Sequence, residues 1–435
     1  MVRALRCREL IDGTARHANM ASHTAVIHDV LSSHCEEASG LWLTRARLID
    51  APHVTLFELQ RHDERIAAHL DGVSVAGAAG LDACRRLLEE PDAGVLFLLA
   101  VRTLEDEPSR LQSLLDIAKS APAFRAGVLA GFGWAEPGRL RGVVANLLGS
   151  PDPLHRLFGV AACSMHRVDP AIAAPQEEAD ASVRARLFRA AGELGQQGML
   201  PVCARSADED AEVQFWATWS AVLLGAGENA LAKLAGIGFE GGARQAQALQ
   251  LALQTANPDH GHALLQANAA EPERLRIRIK GAGCIGNPRY VPWLISQMSD
   301  DKLTRLAGES FSLITGLDLS RAPFERMPPE NFESGPTEDP EDDNVAMDED
   351  DDLPWPVQSE VQKWWDKNGA RFTTGVRHFM GAPPSRAHCI EVLKNSYQRQ
   401  RIAAAYHLCL LNPGTPLFEW RAPAGRQQRA LAQLS

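Results

Sequence analysis

Tyrosine is scarce in this chain, with three in 435 residues, and several recognisable chemistries are missing altogether. None of the eight cysteines (7, 35, 84, 163, 203, 284, 389 and 409) stands in a C-x-x-C pair, so the usual zinc and dithiol spacings are excluded. Cys84, Cys163, Cys284 and Cys409 lie in apolar helical runs, where a free thiol acts as a small hydrophobe, and a reducing compartment is expected. No run of about 18 apolar residues occurs, which argues against a membrane span. Arg3, Arg6 and Arg8 are not followed by an apolar stretch, so no signal peptide is expected and the location is read as cytoplasmic. There is no G-x-x-x-x-G-K-[ST] and no G-x-S-x-G, and Gly236-Ile237-Gly238 and Gly281-Ala282-Gly283 lack a preceding strand.

A basic excess is also missing. The formal charge is −11, yet residues 333–352 alone hold eleven acids and no Lys or Arg. Without them acids and bases balance at 44 each, which weakens a nucleic-acid reading.

What the chain does have is a period. Arg125, Arg156, Arg184, Arg244, Arg276 and Arg305, with Gln214 in the one vacancy, follow one another at steps of 31, 28, 30, 30, 32 and 29 residues. Asp152, Asp180, Asp210, Glu240 and Asp301 stand four residues before five of these positions. A small, apolar helical stretch follows, clearest from Val183 to Gly195. A fixed step of this length marks stacked helical units. The fold expected is all-α: a right-handed superhelix of helix pairs, an α-solenoid, which escapes the size limit of a single core by growing along one axis. Each turn acid is expected to cap the helix after it.

Units then begin near 92, 121, 152, 180, 210, 240, 272 and 301. The expected organisation is a weakly ordered tail (1–24), an N-terminal helical cap (25–90), the repeat array (91–320), an acidic Pro-rich linker (321–356), a C-terminal helical cap (357–420) and a frayed tail (421–435). In the first cap, helices are expected over 26–43 and 54–70, the second ending at Asp71-Gly72.

The acid–x–x–x–Arg turn, the helix pairs and the thirty-residue step resemble HEAT repeats in their short bacterial form. Longer strings carry a closer likeness: His62-Asp63-Glu64-Arg65-Ile66-Ala67-Ala68-His69-Leu70-Asp71-Gly72, Arg305-Leu306-Ala307-Gly308-Glu309-Ser310-Phe311-Ser312-Leu313-Ile314-Thr315-Gly316, Gln398-Arg399-Gln400-Arg401-Ile402-Ala403-Ala404-Ala405 and Pro413-Gly414-Thr415-Pro416-Leu417-Phe418. Together they resemble a family of proteobacterial HEAT-repeat proteins encoded near type VI secretion genes. That resemblance implies an adaptor or chaperone for a secreted effector, with an immunity protein as the alternative, and it carries over no catalytic residue. The iron-binding HEAT hydroxylases use His-Glu dipeptides, and this chain has none.

Candidate sites follow from these patterns. The arginine row offers a positive stripe for a partner (Arg156, Arg184, Gln214, Arg244, Arg276, Arg305), or else a ladder in which each guanidinium bonds a turn acid; the neutral array favours the ladder. Trp364, Arg399 and Arg401 are candidate contacts in the C-terminal block. His62, Asp63, Glu64, His69 and Asp71 are the densest group of metal-ligand residue types, but their spacing does not suit a site. His260-x-His262 reads as a surface loop. The acidic stretch is a solvated spacer, or mimics nucleic acid, or occupies a basic groove on a toxin or on this protein itself. The expected function is non-catalytic binding of another protein through the inner face, a secreted effector or secretion spike component. No metal, cofactor, small-molecule substrate, membrane or nucleic acid is expected to take part.

Overall fold

The computed structural model describes residues 26–171, 175–269, 271–330, 332, 335 and 348–434. Among these, 21 α-helices and short 3-10 turns form an all-α fold of α-solenoid type, helices packing in neighbouring pairs. No strand is present among the described residues, only two isolated bridges. The expected tail 1–24 lies outside them. The chain divides into two compact units, one holding residues up to 50, 54–194 and 418–434, the other 51–53 and 195–417.

The first unit contains α1 (His28–Leu48), α2 (Leu56–Val75), α3 (Ala78–Arg86), α4 (Ala93–Asp106), α5 (Leu111–Ser120), α6 (Arg125–Trp134), α7 (Val143–Leu148), α8 (Pro153–Met165) and α9 (Ala181–Glu193). α1 packs on α2 and α4, α4 on α6, and α8 on α7 and α9. α4 is apolar from Val95 to Val101, and Val95 to Leu104 are all buried, Arg102 among them paired with Glu105 and Asp106, as befits a central helix. Close approach of α6 to α4 needs glycine: a Cβ on Gly127 would lie 1.9 Å from the Ala93 carbonyl oxygen. α1 and α2 both outrun their expected ends. α2 passes through Asp71-Gly72 because Gly72 is a contact position, where a Cβ would meet the His34 ring at 2.9 Å, rather than a cap.

The second unit contains α10 (Leu200–Arg205), α11 (Ala211–Leu223), α12 (Glu228–Glu240), α13 (Gln245–Thr255), α14 (Pro258–Asn268), α15 (Leu275–Ile285), α16 (Val291–Gln297), α17 (Thr304–Thr315), α18 (Gln358–Asn368), α19 (Arg386–Asn395) and α20 (Gln398–Leu411). α12 pairs with α11 and α13, and α15 with α17, while α20 lies against α11, α13 and α19. His260 and His262 sit in α14, not in a loop, and His262 Nδ1 is 2.6 Å from the Tyr290 hydroxyl.

Several turn acids do cap. Asp152 accepts from the Leu154 amide at 2.9 Å, Asp180 from Ser182 and Val183 at 3.0 and 3.1 Å, and Asp210 from Glu212 and Val213 at 2.9 Å each. Each satisfies amides that the first helical turn leaves without partners. Glu240 and Asp301 do not. Glu240 is still inside α12, and Gly241-Gly242 make that turn with φ of 101° and 95°. Ahead of α17 the Asp300 carboxylate accepts from the Lys302 amide, while Asp301 pairs with Arg326.

Two expected boundaries are corrected. The tail 421–435 is not frayed: α21 (Ala424–Leu434) packs on α2, with Ala424, Gln427 and Leu431 buried at helical spacing. Its buried polar residue is matched, since Gln427 Nε2 donates to the Trp420 and Ala422 carbonyls at 2.7 Å each. The linker 321–356 is built into the second unit wherever it is described at its far end. Leu353 and Trp355 are buried, because Trp355 packs edge-on to Phe332 at 4.7 Å and takes the Arg305 guanidinium on its face at 4.7 Å. Residues 336–347, its centre, lie outside the described residues.

Candidate functional site

The spaced arginines begin as local structure. Arg156 reaches back over the turn before its own helix, Nη1 donating to the Ser150 and Pro151 carbonyls at 2.9 Å each. Arg184 does the same to Glu178 and Ala179, at 3.2 and 2.8 Å, and Arg125 Nε to Ala118 at 3.0 Å. A planar guanidinium suits this clasp because it can serve two carbonyls at once.

A ladder exists, but its acids are not the turn acids. Arg156 forks onto Glu178 at 2.7 and 2.9 Å, and this pairing raises the arginine and holds the Glu178 carboxyl below its ordinary range. Arg244 forks onto Glu212 and lies over the Trp216 ring at 4.9 Å. Asp152, Asp180 and Asp210 are occupied as caps, and Glu240 lies within the preceding helix, so the partners come from elsewhere. Arg156, Arg184 and Arg244 therefore do not form a bare stripe, and Gln214 is exposed on α11.

The lower end of the row is different. Arg276 and Lys280, one turn apart on α15, join Arg305 on α17 and Arg399 on α20. All four hold the chain's own acidic stretch. Arg276 Nη2 pairs with Asp350 at 2.7 Å, and Lys280 Nζ with Glu349 at 2.7 Å. Arg305 pairs with Asp348, and its Nη1 donates to the Asp350 carbonyl at 3.0 Å. Arg399 donates to the Glu349 carbonyl at 3.2 Å and to Glu309 at 3.1 Å. Main chain and side chains are both held, and the stretch itself is a turn, with the Asp351 amide donating to the Asp348 carbonyl at 3.1 Å. Arg305 is buried and its partner Asp348 nearly so, while the buried Asp350 carboxylate meets the more exposed Arg276. Lys280 lowers the Glu349 carboxyl, and the hydrogen bond that Arg276 donates to Asp350 raises Arg276. Lys280 was not among the residues singled out from sequence; its place one helical turn after Arg276 was the available signal.

The remaining candidates are structural. Arg401 is fully buried, not a surface contact: its Nε donates to the Leu393 carbonyl at 2.7 Å, its Nη1 to Gln398, and burial depresses it to about 10. Trp364 packs edge-on to Phe311, with ring centres 5.9 Å apart, rather than standing clear for a partner. Asp63 takes Arg45 at 2.5 Å and accepts the Ala424 amide at 2.7 Å, capping α21. His62 Nε2 is 2.8 Å from the Leu41 carbonyl oxygen, and His69 Nδ1 is 3.1 Å from His34 Nδ1. Among the described residues no three His, Cys, Asp or Glu gather in a metal-binding arrangement. Burial pushes the Cys203, Cys284 and Cys389 thiols up to about 12, which keeps them protonated.

No helix of the described residues is long and apolar enough to cross a membrane. Comparison with family models, curated proteins and solved structures gives no match.

Proposed function

We propose that this chain is a non-catalytic scaffold that binds another polypeptide. One observation carries the reading: Arg276, Lys280, Arg305 and Arg399, drawn from three helices, grip both the carboxylates and the carbonyls of the stretch Asp348–Asp350. A surface that reads an acidic turn in this way suits a partner bearing one. The likeness to HEAT-repeat proteins of type VI secretion clusters supplies the partner class, a secreted effector or a spike component in the cytoplasm. An adaptor or chaperone role fits that class, and neutralisation of a cognate toxin is the alternative.

Affinity purification of the full chain from its native host, followed by mass spectrometry, tests this. The expected result is one near-stoichiometric protein that an excess of a synthetic peptide spanning residues 346–352 releases and that R399E retains less well. A protein indifferent to both the peptide and R399E, or no protein at all, counts against it. The identity of the partner then separates adaptor from immunity protein.

A further inference from the structure

The first unit holds a half-open cavity of about 410 Å3, within the range of roughly 300–1,000 Å3 common for ligand pockets. Its walls are apolar. Trp42 from α1, Leu129 and Trp134 from α6, and Leu157 and Met165 from α8 line it. The two indoles are held rigid, both packing on Phe97 with ring centres 5.3 and 5.5 Å away.

One end of the cavity is charged, and the charge does not balance. Five guanidiniums line it: Arg45, Arg186, Arg189, Arg421 and Arg426. Asp63 takes up Arg45 at 2.5 Å, and Asp50 faces Arg421 at 3.8 Å. Arg186, Arg189 and Arg426 lie near Glu193 and Glu419, and Arg186 also donates to Ser164 and Arg426 to the Ala135 carbonyl at 3.3 Å. Glu193 is used twice, by Arg186 at 2.9 Å and by Arg189 at 2.6 Å, and the two hold it at about 2, fully ionised. Glu419 is pushed the other way, by burial and by Glu193, towards its neutral form. Glu136, near Arg426, is exposed to water, and Arg429 opposes it. Nη1 of Arg186 and Nη1 of Arg426 are both buried donors with no acceptor. A buried guanidinium donor without an acceptor is costly, and a carboxylate is the acceptor that fits its fork.

We propose that this cavity binds a carboxylate carried on an apolar body. The acid group sits among Arg186, Arg189 and Arg426, and the body lies between Trp42 and Trp134. The apolar walls take the body, and the planar carboxylate matches the guanidinium fork. A free aliphatic or aryl acid has this chemistry, and so does the C-terminal residue of a polypeptide.

Isothermal titration of the full chain with octanoate and 3-phenylpropionate, against octanamide and 3-phenylpropionamide, tests the proposal. The acids bind, and the amides bind at least about tenfold more weakly, the loss of a charge-assisted pair. R186Q and R426Q each weaken acid binding by about tenfold. A130F, which fills the cavity from the α6 side without touching a charge, abolishes it while circular dichroism stays unchanged. Should R186Q not fold, R426Q and A130F decide. A tetrapeptide ending in Phe is compared as free acid and as amide. Tighter binding of its free acid than of the small acids assigns the site to a chain end, and the reverse order to a free acid. No binding of either acid or of the free-acid peptide, equal binding of acid and amide, or undiminished binding by A130F overturns the proposal.

Discussion

Arg377 shows how much one side chain can hold without belonging to any helix. It sits between α18 and α19, and its guanidinium spans the ends of two others. Nε donates to the Ile285 carbonyl at 3.0 Å, closing α15, and Nη2 to the Leu253 carbonyl at 2.9 Å and to Ala256, closing α13. Burial depresses it to about 10, yet it stays charged at neutral pH, facing the negative ends of both helix dipoles. R377A leaves those carbonyls without a donor, and we expect a loss of roughly 2–4 kcal/mol in urea unfolding. His407 lies close by, on α20, and titrates in the opposite sense to a stabilising ion pair. Burial, with the positive charge of Arg377 and the neighbouring His388, depresses it to about 3. Above the unfolded value near 6.5 both states are neutral and nothing is lost; below it the unfolded chain takes a proton that the fold refuses. Stability therefore falls as pH drops from about 6.5 towards 3, by about 1.4 kcal/mol per pH unit from this residue. H407L is expected to flatten the stability–pH profile by that slope between pH 6 and 4.5, read from chemical denaturation at each pH. Neither residue announced itself in the sequence, because a lone Arg in a loop and a lone His in an apolar helix carry no period.

At the scale of elements the period was legible because it encodes a local device. Asp at the turn caps, and Arg four residues on clasps the carbonyls of the turn it has just left, so the pair fixes the entry angle of α8 and α9 together. D180A is expected to cost about 1 kcal/mol, as loss of an N-cap does, and D210A the same, each seen as a lower thermal midpoint. The device was misread where another residue type makes the turn. Two glycines do so after α12, and Asp300 rather than Asp301 does so before α17. α21 was missed for a different reason. Gln427 faces the interior, and a buried glutamine with two carbonyl acceptors looks, in sequence, like a solvent-facing one. Glycine spacing was equally opaque: Gly127 and Gly131 mark where α6 presses on α4, with a Cβ on Gly131 falling 2.4 Å from that of Ala100. G127A drives a methyl into the Ala93 carbonyl, and a loss of about 1–3 kcal/mol is expected from overpacking, against a slight gain for an unobstructed helix position.

At the scale of the whole molecule the charge distribution carries the most information. Eleven acids in residues 333–352 against a balanced remainder were visible at once. Where they go was not, since Arg276 and Asp350 are separated by 74 positions. Two kinds of contact hold the stretch, and salt should tell them apart. Lys280 and Glu349 are 39% and 69% exposed in their side chains, so their attraction is screened and contributes little. The Arg305 side chain is 5% exposed and that of its partner Asp348 16%, so removing this carboxylate leaves the guanidinium out of water. E349Q should therefore change unfolding free energy by less than about 1 kcal/mol and lose even that at 0.5 M NaCl. D348N should cost roughly 3–5 kcal/mol at either salt concentration. If the cations are also the partner's seat, E349Q loosens the internal occupant at its most exposed contact while the fold persists. Its captured partner should then rise in yield over wild type at equal bait, measured by quantitative mass spectrometry. An E349Q protein that is equally stable and captures no more would separate the two roles, leaving the acidic stretch as a fixed part of the second unit and the partner on another face.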